Sequence, residues 1–186
     1  EAGIQPRLVH AANTAACVAS PETYYDMVRL AALIFGYDIS PGIPNRLGLE
    51  PVIQWTAPIL SVHWAEAGDN VSYYRFFTPK RRTKIAIVGF GMGDGYVRSL
   101  VTKDTEHNAD VLIHGRRARI LDLNVDVAYI DVTDIPDIKM GDTVTIIGNE
   151  ITSMELGEVG GTSSGHVCCA ITSRPLRYYV NASSGD

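Results

Sequence analysis

Lys84-Ile85-Ala86-Ile87-Val88-Gly89-Phe90-Gly91-Met92-Gly93-Asp94-Gly95 is the stretch on which the fold turns. An apolar run followed by Gly-x-Gly opens a dinucleotide-binding βαβ unit, where glycines let the backbone approach a pyrophosphate at a helix N-terminus. That fingerprint needs a third small residue three positions after the second glycine, where the helix packs on the strand. The position holds Asp94, whose charge would face the pyrophosphate. Downstream, the alternation of strands and helices that a doubly wound sheet requires is missing. The chain reads instead as strands over 52–63, 71–77, 84–90, 111–114, 117–122, 127–132, 143–147 and 174–180. Turn-forming groups separate them at Ala67-Gly68-Asp69-Asn70, His114-Gly115 and Met140-Gly141-Asp142. Short strands at near-regular spacing predict a mainly β barrel or sandwich. Its helices are expected at 95–102 and at 153–159, the latter capped by Ser153 with Glu155 and Glu158 near its start.

Upstream the texture differs. Residues 8–19 are small and apolar, a buried strand running into a turn or a short helix, and periodicity does not choose between them. Ser20-Pro21-Glu22-Thr23 signals a short helix near 21–26 with Ser20 as N-cap. Met27 to Gly36 is almost wholly apolar except for Arg29, which suits a strand buried on both faces in a parallel sheet. Ile39-Ser40-Pro41-Gly42-Ile43-Pro44-Asn45 makes the best boundary, dividing 1–42 from 43–186. The opening Glu1 without an initiator Met is read as belonging to a piece of a longer protein.

The 186 residues are 46% hydrophobic and 20% charged, enough to bury a core, and the net charge of −5 argues against a nucleic-acid partner. No run approaches the roughly 20 apolar residues of a membrane span, and no secretory signal pattern is present. Cys17, Cys168 and Cys169 do not form a disulfide scaffold and point to a reducing, cytoplasmic setting. The sequons Asn70-Val71-Ser72 and Asn181-Ala182-Ser183 are read as loop residues. His10, His63, His107, His114 and His166 lie at no metal-ligand spacing. Cys168 and Cys169 would point apart on a strand, and no Gly-x-Ser-x-Gly elbow occurs. Asp122-Leu123-Asn124-Val125-Asp126 begins like a calcium loop but has Val127 and Thr133 where an EF-hand needs Gly and Glu. Lys80-Arg81-Arg82 and Arg116-Arg117 read as solvated turns.

Several blocks, in order, resemble the second half of bacterial alanine racemase. His10-Ala11-Ala12-Asn13-Thr14-Ala15-Ala16 looks like that family's His-x-Ala-Asn-Ser-Ala, and Asp26 to Gly36 like its Asp-Met-Val-Arg-Pro-Gly-Ile-x-Leu-Tyr-Gly. Asp94-Gly95-Tyr96-Val97-Arg98 resembles the end of Gly-Tyr-Ala-Asp-Gly-Tyr-Pro-Arg. Asp126 to Pro136 with Gly141-Asp142 resembles Met-Asp-Gln followed by Asp-Val-Thr-Asp-Ile-Pro and Gly-Asp, and Arg174 to Tyr179 echoes Arg-Val-Pro-Arg-x-Tyr.

The resemblance implies that residues 1–42 are the last strands of a TIM-type (β/α)8 barrel that binds pyridoxal 5′-phosphate, and that 43–186 form the C-terminal β domain. It places Asn13 and Thr14 on the cofactor phosphate, with the turn Leu30-Ala31-Ala32 standing where the family has Pro-Gly-Ile, and Arg29 opposite the pyridine nitrogen. An arginine there stays charged and does not protonate the ring, which favours proton exchange at the substrate α-carbon. Met92 stands where the family has its second proton-transfer base, a tyrosine. Val125 replaces the methionine bordering the substrate carboxylate, beside a retained Asp126. Ser173 replaces a phosphate-contacting tyrosine. The Cβ atoms of Ala31 and Ala32 are expected to crowd the phosphate-side turn. The lysine that carries the family's cofactor belongs to the first barrel strand, and Lys80, Lys84, Lys103 and Lys139 do not match it.

The reading is therefore the C-terminal part of an alanine-racemase-like enzyme interconverting L- and D-alanine or a related small amino acid. Alone it is expected to be inactive. It would associate with an N-terminal barrel half in a head-to-tail homodimer. The alternatives are a non-catalytic homologue serving as a binding or assembly module, and a dinucleotide-binding oxidoreductase built on Gly89-x-Gly91.

Overall fold

A computed structural model describes residues 3, 5–37, 47–73 and 75–180. Six strands, β1 (Trp55–Ala65), β2 (Thr83–Val88), β3 (Asp110–Ile113), β4 (Arg116–Leu123), β5 (Ala128–Asp131) and β6 (Thr143–Ile147), close a barrel in the order β1-β2-β5-β4-β3-β6. Every pairing is antiparallel. The choice between barrel and sandwich falls to β1. Its first half pairs with β6 through Trp55–Pro58 and its second half with β2 through Ile59–Ala65, with a register shift between Ile59 and Ser61. A bulge there bends one strand across the seam, so the sheet closes on itself instead of stacking on a second sheet.

Alternation supplies the core. Trp55, Ala57 and Ile59 of β1 are buried while Thr56, Pro58 and Leu60 between them face out. They join Phe90, Ile120, Ile130, Val144 and Ile146 in one interior cluster. Trp55, Phe90 and Tyr96 meet edge to face, with centroids 6.1, 6.1 and 5.1 Å apart. The Tyr96 hydroxyl is buried with no hydrogen-bond partner, and burial pushes the phenol far up from its ordinary pKa. Removing an unpaired buried hydroxyl costs no hydrogen bond. Tyr96→Phe is therefore expected to leave urea stability unchanged or to raise it by up to about 1 kcal/mol. A loss of more than about 1 kcal/mol would show that the hydroxyl is bonded after all.

Two helices close the open side, α2 (Ser153–Val159) and α3 (Ser164–Ala170). The cap of α2 is Thr152, whose hydroxyl accepts from Glu155 N at 3.1 Å, and not Ser153, which is wholly buried. Arg117 of β4 donates to both Glu155 carboxylate oxygens and to Glu150 O, tying barrel to helix.

Four expected elements come out differently. Residues 71–77 make only an isolated Val71–Phe77 bridge, because Ser72 and Arg75 adopt φ of +71° and +51° and break the extended run. The expected 95–102 helix is a single 3-10 turn, Arg98–Leu100. Residues 174–180 form no strand: the backbone bends at 174 and 175 and continues without regular structure. Cys168 and Cys169 lie on α3, not on a strand.

The N-terminal part holds α1 (Thr14–Ala19) and 3-10 turns at Pro21–Thr23 and Ala32–Phe35. Asn13 caps α1, its side chain accepting from Ala16 N at 3.0 Å, whereas the Ser20 side chain makes no cap bond. Residues 27–36 do not form the expected buried strand. A parallel strand needs a ladder to a neighbour on each side, and the described bonds of this stretch form none: they go to the 9–12 segment, to Thr14 and, from Phe35 O alone, to Val52. Arg29 N donates to Ala12 O at 3.0 Å and Asp26 N to Val9 O at 3.1 Å. Met27, Val28, Leu30, Ile34 and Phe35 are consequently exposed. The expected boundary at 39–45 and the sequon at 181–183 lie outside the described residues.

Candidate functional site

The expected site residues gather in two places. At one barrel end, β2 runs through Gly89 and Phe90 into a 3-10 turn, Met92–Asp94, that lies against the loop after β4. Met92 N donates to Asn124 O at 2.9 Å and Gly93 N to Val125 O at 2.7 Å. Met92 and Val125, 33 positions apart in the chain, thus stand side by side, both partly exposed, with Asp126 next to them at the surface.

The glycines around Met92 serve this packing. A Cβ on Gly91 would lie 2.5 Å from Val125 C, and one on Gly93 would lie 2.5 Å from Arg174 Nη1. Gly95 has φ +98°, and a Cβ there would overlap Ala170 O. Gly91 and Gly95 are thus explained by close backbone contacts within the chain, and Gly93 by the Arg174 side chain and Val125 O. β2 is antiparallel to both neighbours and leads into no crossover helix, so the dinucleotide-binding oxidoreductase reading is not supported.

Asp94 explains the other departure from the fingerprint. It is buried, its Oδ2 accepting from Gly91 N at 2.9 Å and its Oδ1 standing 3.3 Å from Arg174 Nε. Thr172 N donates to Asp94 O and Thr172 Oγ1 to Gly93 O, at 3.0 and 2.9 Å. The chain after α3 therefore holds the turn in place. Asn124 holds it from the other side. Ser72 Oγ donates to Asn124 Oδ1, and Asn124 Nδ2 donates to the Tyr129 hydroxyl, each at 3.3 Å. Burial, with Asp122 nearby, pushes the Tyr129 phenol up. Asn124, Thr172 and the Asp94–Arg174 pair were not singled out as site residues in the sequence. Their one legible signal is a charged residue in the third-glycine position.

The second group is near the N-terminus. Thr14 Oγ1 accepts from Ala31 N at 3.0 Å, which sets the start of α1 against the turn Ala32–Phe35. Arg29 Nη1 lies 2.6 Å from His10 Nδ1; a guanidinium only donates, so Nδ1 is the unprotonated nitrogen of the ring. Ala31 has φ −136°, which calls for no glycine. Thr14 hydroxyl, Asn13 amide, the N–H groups of two helical starts and a permanent cation form a donor set suited to a phosphate ester beside an aromatic nitrogen. The residues present fit pyridoxal 5′-phosphate. Among the described residues no three His, Cys, Asp or Glu side chains cluster to hold a metal, and no helix is long and apolar enough to cross a membrane.

Comparison with known proteins finds relatives along most of the chain. Residues 52–179 match the family model described as alanine racemase, C-terminal domain. The chain is similar to alanine racemase from Symbiobacterium thermophilum, 36% identical over 96% of this chain and 47% of that protein. It is similar also to that from Geobacter sulfurreducens, 32% identical over 97% and 48%. Among solved structures, alanine racemase of Clostridium difficile in complex with cycloserine superposes with TM-score 0.81 at 28% identity, covering 93% of this chain and 45% of that one. The enzyme from Acinetobacter baumannii superposes with TM-score 0.78 at 31% identity, covering 91% and 47%. The chain spans about half the length of the curated relatives it matches.

Proposed function

This chain belongs to the alanine racemase family, and from that membership we propose that it is the C-terminal half of a pyridoxal-phosphate-dependent amino-acid racemase acting on alanine or a similarly small amino acid. An N-terminal barrel half would carry the cofactor lysine, and two copies would meet head to tail. Two facts support the missing half. The relatives are about twice as long, and Leu8, Val9, Leu30, Ile34 and Phe35 expose an apolar surface of the kind a barrel would cover.

In this reading Asn13, the Thr14 hydroxyl and the Ala32 N–H would hold the cofactor phosphate, with Ala31 N–H spent on Thr14 Oγ1. Arg29, bonded to His10, would stand opposite the pyridine nitrogen, where a permanently charged guanidinium would donate a hydrogen bond but no proton. The cofactor, when bound, supplies the electron sink into which the α-carbon's bonding pair is drawn. Val125 and Asp126 border the substrate carboxylate. Met92 has no exchangeable proton, so this turn offers no second base.

The observation that carries the proposal is the turn itself. Its glycines, Asp94 and the hydrogen bonds to Asn124 and Val125 form a rigid mount, and Met92 occupies its tip. Restoring a phenol to that mount tests it. With the complete polypeptide loaded with cofactor, Met92→Tyr is expected to raise alanine racemisation by about 10²-fold or more, the usual worth of a positioned acid-base group. Met92 also favours a second reading, a non-catalytic binding or assembly module. That reading gains if the complete protein shows no absorption from lysine-bound pyridoxal and Met92→Tyr leaves racemisation at background.

A further inference from the structure

Residues 5–37 meet the β domain at three consecutive positions, through the segment that leads into β1 and through α2 and α3. Phe35 O accepts from Val52 N at 3.2 Å. Gly36, at φ +74°, passes so close to Glu50 that any Cβ would overlap its carbonyl oxygen. Tyr37 then turns inward, 4% exposed, with its hydroxyl facing Ser153 of α2 and the Cys168 thiol of α3. Burial pushes the phenol up to about 12 and the Cys168 thiol up as well, so both stay neutral at this contact.

What sets Tyr37 apart is the poverty of the segment before it. Among the described residues of 5–37, the buried side chains are Ala12 and Tyr37, and Tyr37 is the one of any size. A segment with so little apolar burial opens easily unless something ties it down. The tie also leads to the candidate phosphate group. Tyr37 N donates to Ala32 O at 3.0 Å, closing the 3-10 turn, and the residue before that turn, Ala31, gives its N–H to Thr14 Oγ1 at 3.0 Å. A contiguous run of bonds thus joins the buried ring to Thr14.

We infer that Tyr37 is a positioning residue: its ring, seated between α2 and α3, fixes residues 5–37 on the barrel and so sets where Thr14 and Arg29 stand relative to the β domain. The consequence for cofactor binding rests on the racemase reading. The anchoring does not.

Backbone amide hydrogen exchange on the full chain tests it, with Tyr37→Ala and Tyr37→Phe compared with the parent. In Tyr37→Ala, peptides holding the amides of Ala12, Arg29 and Ala31 should exchange faster by about tenfold or more while barrel-strand peptides keep their rates. Tyr37→Phe, which keeps the ring, should exchange like the parent. Unchanged rates over 9–35 in Tyr37→Ala would overturn the inference. So would equal acceleration of the barrel peptides, which would make Tyr37 an ordinary structural residue, or a failure of Tyr37→Phe to restore protection. Pyridoxal 5′-phosphate binding by the complete polypeptide, followed by its absorption, reports on the racemase reading separately. Loss of that binding in a parent whose 9–35 amides remain protected would sink the cofactor assignment and leave the anchor standing.

Discussion

Gly95→Val is expected to cost about 3 kcal/mol or more of urea stability, because two separate penalties fall on one residue. A left-handed φ of +98° is unfavourable for any side chain and worst for a β-branched one. The Cβ would also overlap Ala170 O, with Ala170 C and Ile171 Cα both 2.6 Å away. Those atoms are backbone at the end of α3, and they have little room to retreat. Two residues on, Thr172 N and Oγ1 are bonded to Asp94 O and Gly93 O. Relief of the clash therefore means pulling the tail off the turn that carries Met92. Gly115, with φ +72° and nothing within 4 Å of its would-be Cβ, is the control. Gly115→Val should pay only the backbone penalty, about 1–2 kcal/mol. Equal losses at the two sites would show that tail and turn are not packed as described.

Phe90→Ala should cost about 3–5 kcal/mol, the range for deleting a buried aromatic whose surroundings relax only in part. Phe90 is 1% exposed and sits against Trp55 and Tyr96, with ring centroids 6.1 and 5.1 Å away. Its backbone lies immediately before Gly91, so the cavity would open beneath the mount of Met92. A fall in the denaturation midpoint at constant slope is the expected signature. A loss below about 1.5 kcal/mol would mean that the barrel interior collapses into the space far more readily than its packing implies.

The two substitutions show why the 84–95 stretch is ambiguous when read alone. Short range, an apolar strand followed by closely spaced glycines is the same string whether the glycines approach a pyrophosphate or a second piece of polypeptide. What distinguishes the cases is the identity of the neighbour, and here the neighbours are Val125, Arg174 and Ala170, 30 to 80 positions away. Asp94 was the legible clue. A carboxylate unwelcome beside phosphate is well used when it takes Gly91 N and faces Arg174.

Local chemistry decided a good deal by itself. Alternating burial wrote the first half of β1, β3 and β5 into the chain, because a strand with one face on a core must repeat every second residue. The run from Thr152 to Val159 specified α2, with only its cap displaced by one residue since two hydroxyls compete there. Met92, Val125, Asn13, Thr14 and Arg29 were named only through the resemblance of their blocks to those of one family. Tertiary structure decided the rest. Barrel rather than sandwich depended on one bend in β1 and on pairing between strands remote in sequence. The apolar run at 27–36 carried the composition of a buried strand, yet burial needs partners, and in the described structure it joins no ladder and leaves Met27, Val28, Leu30, Ile34 and Phe35 exposed. Composition states what a segment would gain by being covered, and only the arrangement of the other segments determines whether anything covers it.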